Sequence, residues 1–404
     1  MKVLLFGTLD SKLQEVDFLR EALVQNGLEP LIVDASCLKN VGVSWANVSP
    51  EEVARKAGTE FPKVASLPRG EALEVMATGV GAIAAELVKD KVVAGVIALG
   101  GANGTLLASR VMRRLPRGLP KVLVSAAAAV NLRDVVGTTD MVVVNTVCDA
   151  SLNEFTKGVF ASAAAALAGM MRGWMPACRV VKGTVCMSML GLTQGLVERC
   201  KAALEERGYD VLGFHANGYG GRALEETVRQ GGVSAVLDVT LNEVMNNLVG
   251  GVFDAGPDRL EAAISGGVPL VLAPGACDFV NFWGEAVPPK YQGRRLWRHN
   301  VQNTLMRTTP EENLVCGRVV GEKLNKCTAR TVMLVPMGGF SGLDKPGGPE
   351  GWFDPSCQQA FWRGVSETVH NPQVICRQVQ SHVNSDEFSA EVLRELLYLL
   401  EGNM

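Results

Sequence analysis

Two short stretches carry the residue types that can hold a phosphate. Gly100, Gly101 and Gly104, within GVIALGGANGT, leave little side-chain bulk between an apolar run and a helical pattern, so backbone N–H groups there can cradle an anion. Asn103 and Thr105 can add polar contacts. Thr8, Asp10, Ser11 and Lys12 follow an earlier apolar run, Val3 to Phe6. There Lys12 can pair with phosphate, and Asp10 can hold Mg²⁺ directly or through water. Plainer roles fit the same residues: the glycines suit a tight turn, and Ser11 with Gln14 has capping-box spacing. No Walker sequence occurs, so any nucleotide is held differently. Gly79-Val-Gly81-Ala-Ile-Ala84 imitates a dinucleotide fingerprint but lies inside a helical stretch, and is set aside.

The second half is richer in polar loops. HANGYGGR contains His215, DVTLNEV contains Glu243, and a third group holds Asp278, Asn281 and Phe282. RHNVQNTLMRTT supplies His299 and Arg307, and a Gly/Pro-rich stretch carries Ser341, Asp344 and Asp354. A histidine near carboxylates can act as general acid or base, and Arg307 can clamp a carboxylate or phosphate. Glu243, His215, His299, Arg307 and Asp278 are therefore the candidate catalytic residues. Taken singly, each also suits a cap, a turn or a buried hydrogen bond. No G-x-S-x-G elbow or H-E-x-x-H pair is present. Cys148 and Cys277 stay open as nucleophiles, but both flank strand ends in a residue class that is usually buried.

Behind these loops the chain alternates strand and helix. Strands are expected at Val3–Phe6, Pro30–Ala35, Val92–Leu99, Lys121–Ala126 and Met141–Val147, with helices between them. Asp34 falls near the end of the second strand, and Thr138 lies in the VGTTD turn before the fifth. Residues 36–67 read as a polar excursion across the surface. The alternation resumes after a break near residues 173–176, with helices begun by Thr-Thr-Pro-Glu-Glu at Pro310 and by Ser385. The expected fold is α/β with two Rossmann-like subdomains, residues 1–174 and 175–404, each a mainly parallel sheet flanked by helices.

Composition excludes several classes. At 404 residues with 47% hydrophobic and 20% charged, the chain can bury more than one core and is neither disordered nor fibrous. A net charge of −3 and the lack of a basic–aromatic run argue against nucleic acid as a partner. The apolar run at the start is too short for a signal peptide, and Val159–Met171 is shorter than a bilayer span of about 20 residues, so no membrane partner is expected. Ten scattered cysteines without a C-x-x-C clip fit a reduced, cytoplasmic protein.

With these stretches in view, the chain resembles the ATP-binding module of the tomato mosaic virus resistance protein and its stand-alone microbial relatives. GTLDSK, GGANGT and VGTTD look like that family's motifs in order, as do HANGYGGR, LVGGVFDAGPDRLEAA, PGACDFVNF and HNVQNTLMRTTPEEN. The resemblance implies ATP and Mg²⁺ as cofactors of the N-terminal subdomain, and a homodimer. The cofactor set is then Thr8, Asp10, Ser11, Lys12, Asp34, Gly100, Gly101, Asn103, Gly104, Thr105 and Thr138, with Asp10 at the metal. Asn103 stands where the family has glycine, and a left-handed backbone there would favour Gly. The leading expectation is an ATP–Mg²⁺-binding protein acting in group transfer or ligation on a small molecule. The alternatives are a nucleotide-sensing interaction module and an ATP-independent hydrolase or isomerase.

Overall fold

A computed structural model describes residues 1–148, 152–173 and 181–402. The chain forms two compact units, Met1–Cys178 and Arg179–Met404. The expected boundary at 174/175 lies outside the described residues.

The N-terminal unit holds five parallel strands: β1 (Lys2–Gly7), β2 (Glu29–Asp34), β3 (Val96–Gly100), β4 (Lys121–Ser125) and β5 (Val142–Asn145), in the order β2-β1-β3-β4-β5. In β1 the side chains alternate between two cores. Leu4 and Phe6 pack towards helices Arg69–Lys89 and Ala102–Met112, whereas Val3 and Leu5 pack towards Leu9–Gln25 and Glu154–Gly173. Covering both faces is what an all-parallel sheet requires, and it explains why these strands read as unbroken apolar runs.

Residues 36–67 differ from expectation. Pro50–Lys56 and Phe61–Ala65 are helices, the first closed by a reciprocal Ser49–Glu52 capping box. Val53, Ala54 and Val64 are fully buried in the core. The apolar residues are too sparse for periodicity to show, yet most of them pack, with Leu38 left exposed. Gly79 has its reason here: a Cβ on it would lie 2.1 Å from the Val53 carbonyl oxygen, so this glycine lets two helices touch.

The C-terminal unit has six parallel strands: β6 (Thr184–Met189), β7 (Asp210–His215), β8 (Ala235–Thr240), β9 (Leu270–Gly275), β13 (Thr331–Pro336) and β14 (Val374–Val379). Their order is β14-β13-β9-β8-β6-β7. The first four strands of this unit thus repeat the arrangement of β1 to β4. An antiparallel sheet absent from the sequence reading adds β10 (Phe279–Trp283), β11 (Leu296–Arg298) and β12 (Asn303–Arg307), ordered β10-β12-β11. The helix starts at Pro310 and Asp386 are as expected, capped by Thr309 and Ser385, whose hydroxyls accept from Glu312 N and Phe388 N. Among the described residues, no helix is long and apolar enough to cross a membrane.

Candidate functional site

In the N-terminal unit, chain order reverses between β1 and β3. Doubly wound sheets bind ligands at such a reversal, outside the carboxyl ends of the strands. A cavity of about 390 Å³ lies there. Thr8, Asp10, Ser11 and Lys12 line it from the loop after β1, and Gly101, Asn103 and Gly104 from the loop after β3. Gly100 and Lys12 also border a small adjoining crevice.

The two helices that start at this cavity are not equivalent. For Leu9–Gln25, the first turn is already satisfied: Leu9 N donates to Asp34 Oδ1 (3.4 Å) and Asp10 N to Ser36 Oγ (2.8 Å). For Ala102–Met112, the N-cap is Gly101 and no side chain caps the turn. Its leading N–H groups and the positive end of the helix dipole therefore remain for an anion. The close strand-to-helix turn depends on Gly100, because a Cβ there would lie 2.4 Å from the Gly104 carbonyl carbon. Asn103 sits within this helix and has no positive φ, so the left-handed backbone that would favour Gly there does not occur.

The charges around the cavity are mixed. Lys12 lies at a kink in its helix and pairs with Glu15 at 3.1 Å. Arg69 is exposed and lines the cavity as a second cation that sequence reasoning missed; its only signal was its place at a helix start. Asp10 Oδ2 accepts from Cys37 N (3.0 Å) and Leu38 N (2.9 Å), pinning the loop after β2. Burial pushes the Cys37 thiol up to about 12, with Asp10 adding to the effect, which disfavours the thiolate.

Three members of the expected cofactor set stand elsewhere. Asp34 is buried and does not line the cavity; it accepts from Ser36 N (2.9 Å) and fixes the loop, and burial raises its pKa despite these bonds. Thr105 is buried too, bonded to Ser125 Oγ (2.5 Å) behind the glycine turn. Thr138 precedes β5 and so lies at the amino ends of the parallel strands, opposite the cavity. In that turn Asp140 pairs with Lys121 Nζ (2.8 Å) at the start of β4, a structural tie.

In the C-terminal unit the candidate catalytic residues separate into three environments. Glu243 is fully buried: Oε1 accepts from Gly218 N (2.7 Å) and Gly221 N (2.9 Å), and Oε2 from Arg259 Nε (2.8 Å). It thereby caps helix Tyr219–Gln230. Arg259, unremarked in the sequence, also bonds Asp238 (2.8 Å) and Glu225 (3.3 Å). Burial opposes its charge, but the three carboxylates outweigh that and hold it ionised.

Asp278 and Arg307 occupy a second buried network. Arg307 donates to the Asp278 carbonyl (2.9 Å), the Trp352 carbonyl (2.6 Å) and Asp344 Oδ1 (3.2 Å). Asp278 Oδ2 accepts from Ser341 Oγ and Trp352 Nε1, both at 2.8 Å. Burial raises the Asp278 pKa against the pull of Arg307. The Asp344 carboxyl is pushed up to about 7 by burial and then by Asp278. Cys277 is buried as expected and its thiol pKa is raised by burial, whereas Cys148 is exposed.

His215 and His299 meet in the third environment, a cavity of about 270 Å³ outside β6 and β7. The crevice between β6 and β8, which corresponds to the open one in the N-terminal unit, is spanned instead by buried hydrogen bonds. Thr193 Oγ1 and Thr240 Oγ1 lie 2.9 Å apart, and Thr240 N donates to Ser188 Oγ at 2.9 Å.

These features define a protein of two doubly wound α/β units with a ligand-sized cavity at the strand reversal of the first. The chain belongs to the uncharacterised protein family UPF0261, whose N-terminal domain matches residues 1–176 and whose C-terminal domain matches residues 182–400. A UPF0261 protein of Clostridium tetani is 38% identical over 99% of both chains, and one of Rhizobium meliloti is 36% identical over 96% of both. The ToMV resistance protein Tm-1 of Solanum lycopersicum is 33% identical over 98% of this chain, which spans 55% of that protein.

Proposed function

We propose that the N-terminal unit binds ATP with Mg²⁺, the phosphates lying against the first turn of helix Ala102–Met112. The observation that carries this reading is an uncapped helix start opening into the β1/β3 cavity, with Lys12 and Arg69 on the same cavity. Among the described residues no three His, Cys, Asp or Glu side chains converge on a metal position. Mg²⁺ would accordingly arrive with the nucleotide, its shell made of phosphate oxygens, water and Asp10. Calorimetry with Mg–ATP is the direct test: saturable heat in the wild type, diminished in Lys12→Ala and Arg69→Ala, is expected. No heat at millimolar nucleotide would defeat the assignment.

Group transfer or ligation onto a small molecule is the reaction class such a site serves. A second reading, nucleotide sensing without turnover, draws support from Glu243, Asp278 and Arg307. All three are buried and tied into internal networks, which suits scaffold better than chemistry. ATP consumption by the purified protein across a metabolite panel separates the two: substrate-dependent consumption favours transfer, and its absence alongside tight binding favours sensing.

A further inference from the structure

We infer that the C-terminal unit binds a neutral nitrogen heterocycle of nucleobase size in the cavity outside β6 and β7. This stands independently of the ATP reading. The cavity, about 270 Å³, falls just below the usual ligand-site range of about 300–1,000 Å³. It suits one ring system better than a whole nucleotide.

The polar groups are concentrated on one part of the chain, the tip of the β11–β12 hairpin. His299 N and Asn300 N both donate to the Asn303 carbonyl (3.0 and 3.2 Å), and Gln302 N donates to Asn300 Oδ1 (2.9 Å), so the tip is an ordered turn. Asn281 Nδ2 donates to Asn303 Oδ1 (3.2 Å), which orients that amide and leaves its NH₂ as a donor. Apart from His215 and Asn281 the remaining wall is apolar, built mainly from Leu190, Leu192, Phe253 and Phe279. Trp283 completes it, its ring edge-on to Phe253 at 5.8 Å between centroids.

Among the described residues, no Asp, Glu, Lys or Arg lines this cavity. His215, at the end of β7, adds no counter-charge, because burial holds its pKa below the ordinary histidine value even with Glu243 nearby. An anionic ligand would lose hydration with only neutral donors, and no Lys or Arg among the described residues, to replace it. A sugar carries hydroxyls around its whole ring and would press several of them unpaired against Phe253, Phe279 and Leu190. A heterocycle instead offers apolar faces to such a wall and gathers donors and acceptors on its edge, which amide side chains match in pairs.

The test titrates the full-length protein with adenine, uracil and nicotinamide, using saturation-transfer NMR and calorimetry, with orotate, nicotinate and glucose as comparators. At least one neutral heterocycle should saturate, about tenfold or more tighter than the carboxylate compounds and glucose, and should weaken by about tenfold in Gln302→Ala or His299→Ala. Both positions are exposed, so the fold survives either substitution. Saturating Mg–ATP should not displace the heterocycle. The inference is overturned if none of the three saturates at millimolar concentration, if a carboxylate or glucose binds as well, if both variants bind like the wild type, or if ATP competes.

Discussion

The carboxylate of Glu243 occupies the space a side chain on residue 221 would need. A Cβ on Gly221 would lie 2.0 Å from Glu243 Oε2, while the Gly221 N–H donates to Oε1 at 2.9 Å. Glycine and glutamate are thus one joint, and Arg259 clamps its other side at 2.8 Å. Breaking a buried ion pair from one side typically costs about 3–5 kcal/mol. Glu243→Gln should lower the urea unfolding free energy by that order, and Gly221→Ala should also destabilise. A Glu243→Gln protein with wild-type stability but no activity would instead make this residue catalytic.

Mg–ATP affinity should respond to the two cations at the N-terminal cavity. Each of Lys12→Ala and Arg69→Ala is expected to raise Kd by about tenfold, the scale of one charge-assisted hydrogen bond. Removing Lys12 also leaves Glu15 without its 3.1 Å partner, which adds repulsion towards phosphate. Calorimetry at two ionic strengths checks this, and the losses should shrink as salt rises.

Gly100→Ala should do more harm than its size suggests. Its Cβ would meet the backbone of Gly104 and Thr105 at 2.4 and 2.6 Å, so the strand-to-helix turn must open. Both thermal stability and nucleotide binding should fall together. Asn103→Gly, by contrast, relieves nothing, because residue 103 is already helical, and its nucleotide Kd should stay within about twofold of wild type.

Asp344 should make stability pH-dependent. Its pKa is raised in the folded protein, from 3.8 to about 7, so the folded state holds a proton that the unfolded chain has released. The contribution is full below about pH 4 and is lost as pH rises through about 7, with a slope approaching about 1.4 kcal/mol per pH unit. Asp278, raised in the same direction, steepens it. Urea titrations between pH 4 and 8 should show this decline, and Asp344→Asn should flatten it.

The parallel strands and their caps were legible because each depends on neighbouring residues. Ser385 and Thr309 announce helices that start at the next residue by accepting from the N–H three residues on, and Val96 to Leu99 is apolar whichever face is considered. The two loops that line the N-terminal cavity were legible for the same reason, since Gly101 and Lys12 act next to where they stand in the chain. What escaped were relations between distant residues. Nothing local marks Arg259 as the hub for three carboxylates from separate elements, or joins Trp352 to Asp278 across 74 positions. The β10–β12 sheet escaped because its strands are short and β11 is exposed throughout, so no alternation forms. Thr138 was named through the resemblance of VGTTD, and its place before β5 sets it at the other end of the sheet from the cavity.

The Thr193–Thr240 hydroxyl pair has a wider consequence. Two halves of the chain share one strand order, yet a 2.9 Å contact bolts shut in the second the doorway that stands open in the first. The protein therefore contains its own control experiment. The closed crevice shows what this topology does when bonded to itself, and trimming Thr193 to alanine asks how few atoms separate a strut from a receptor.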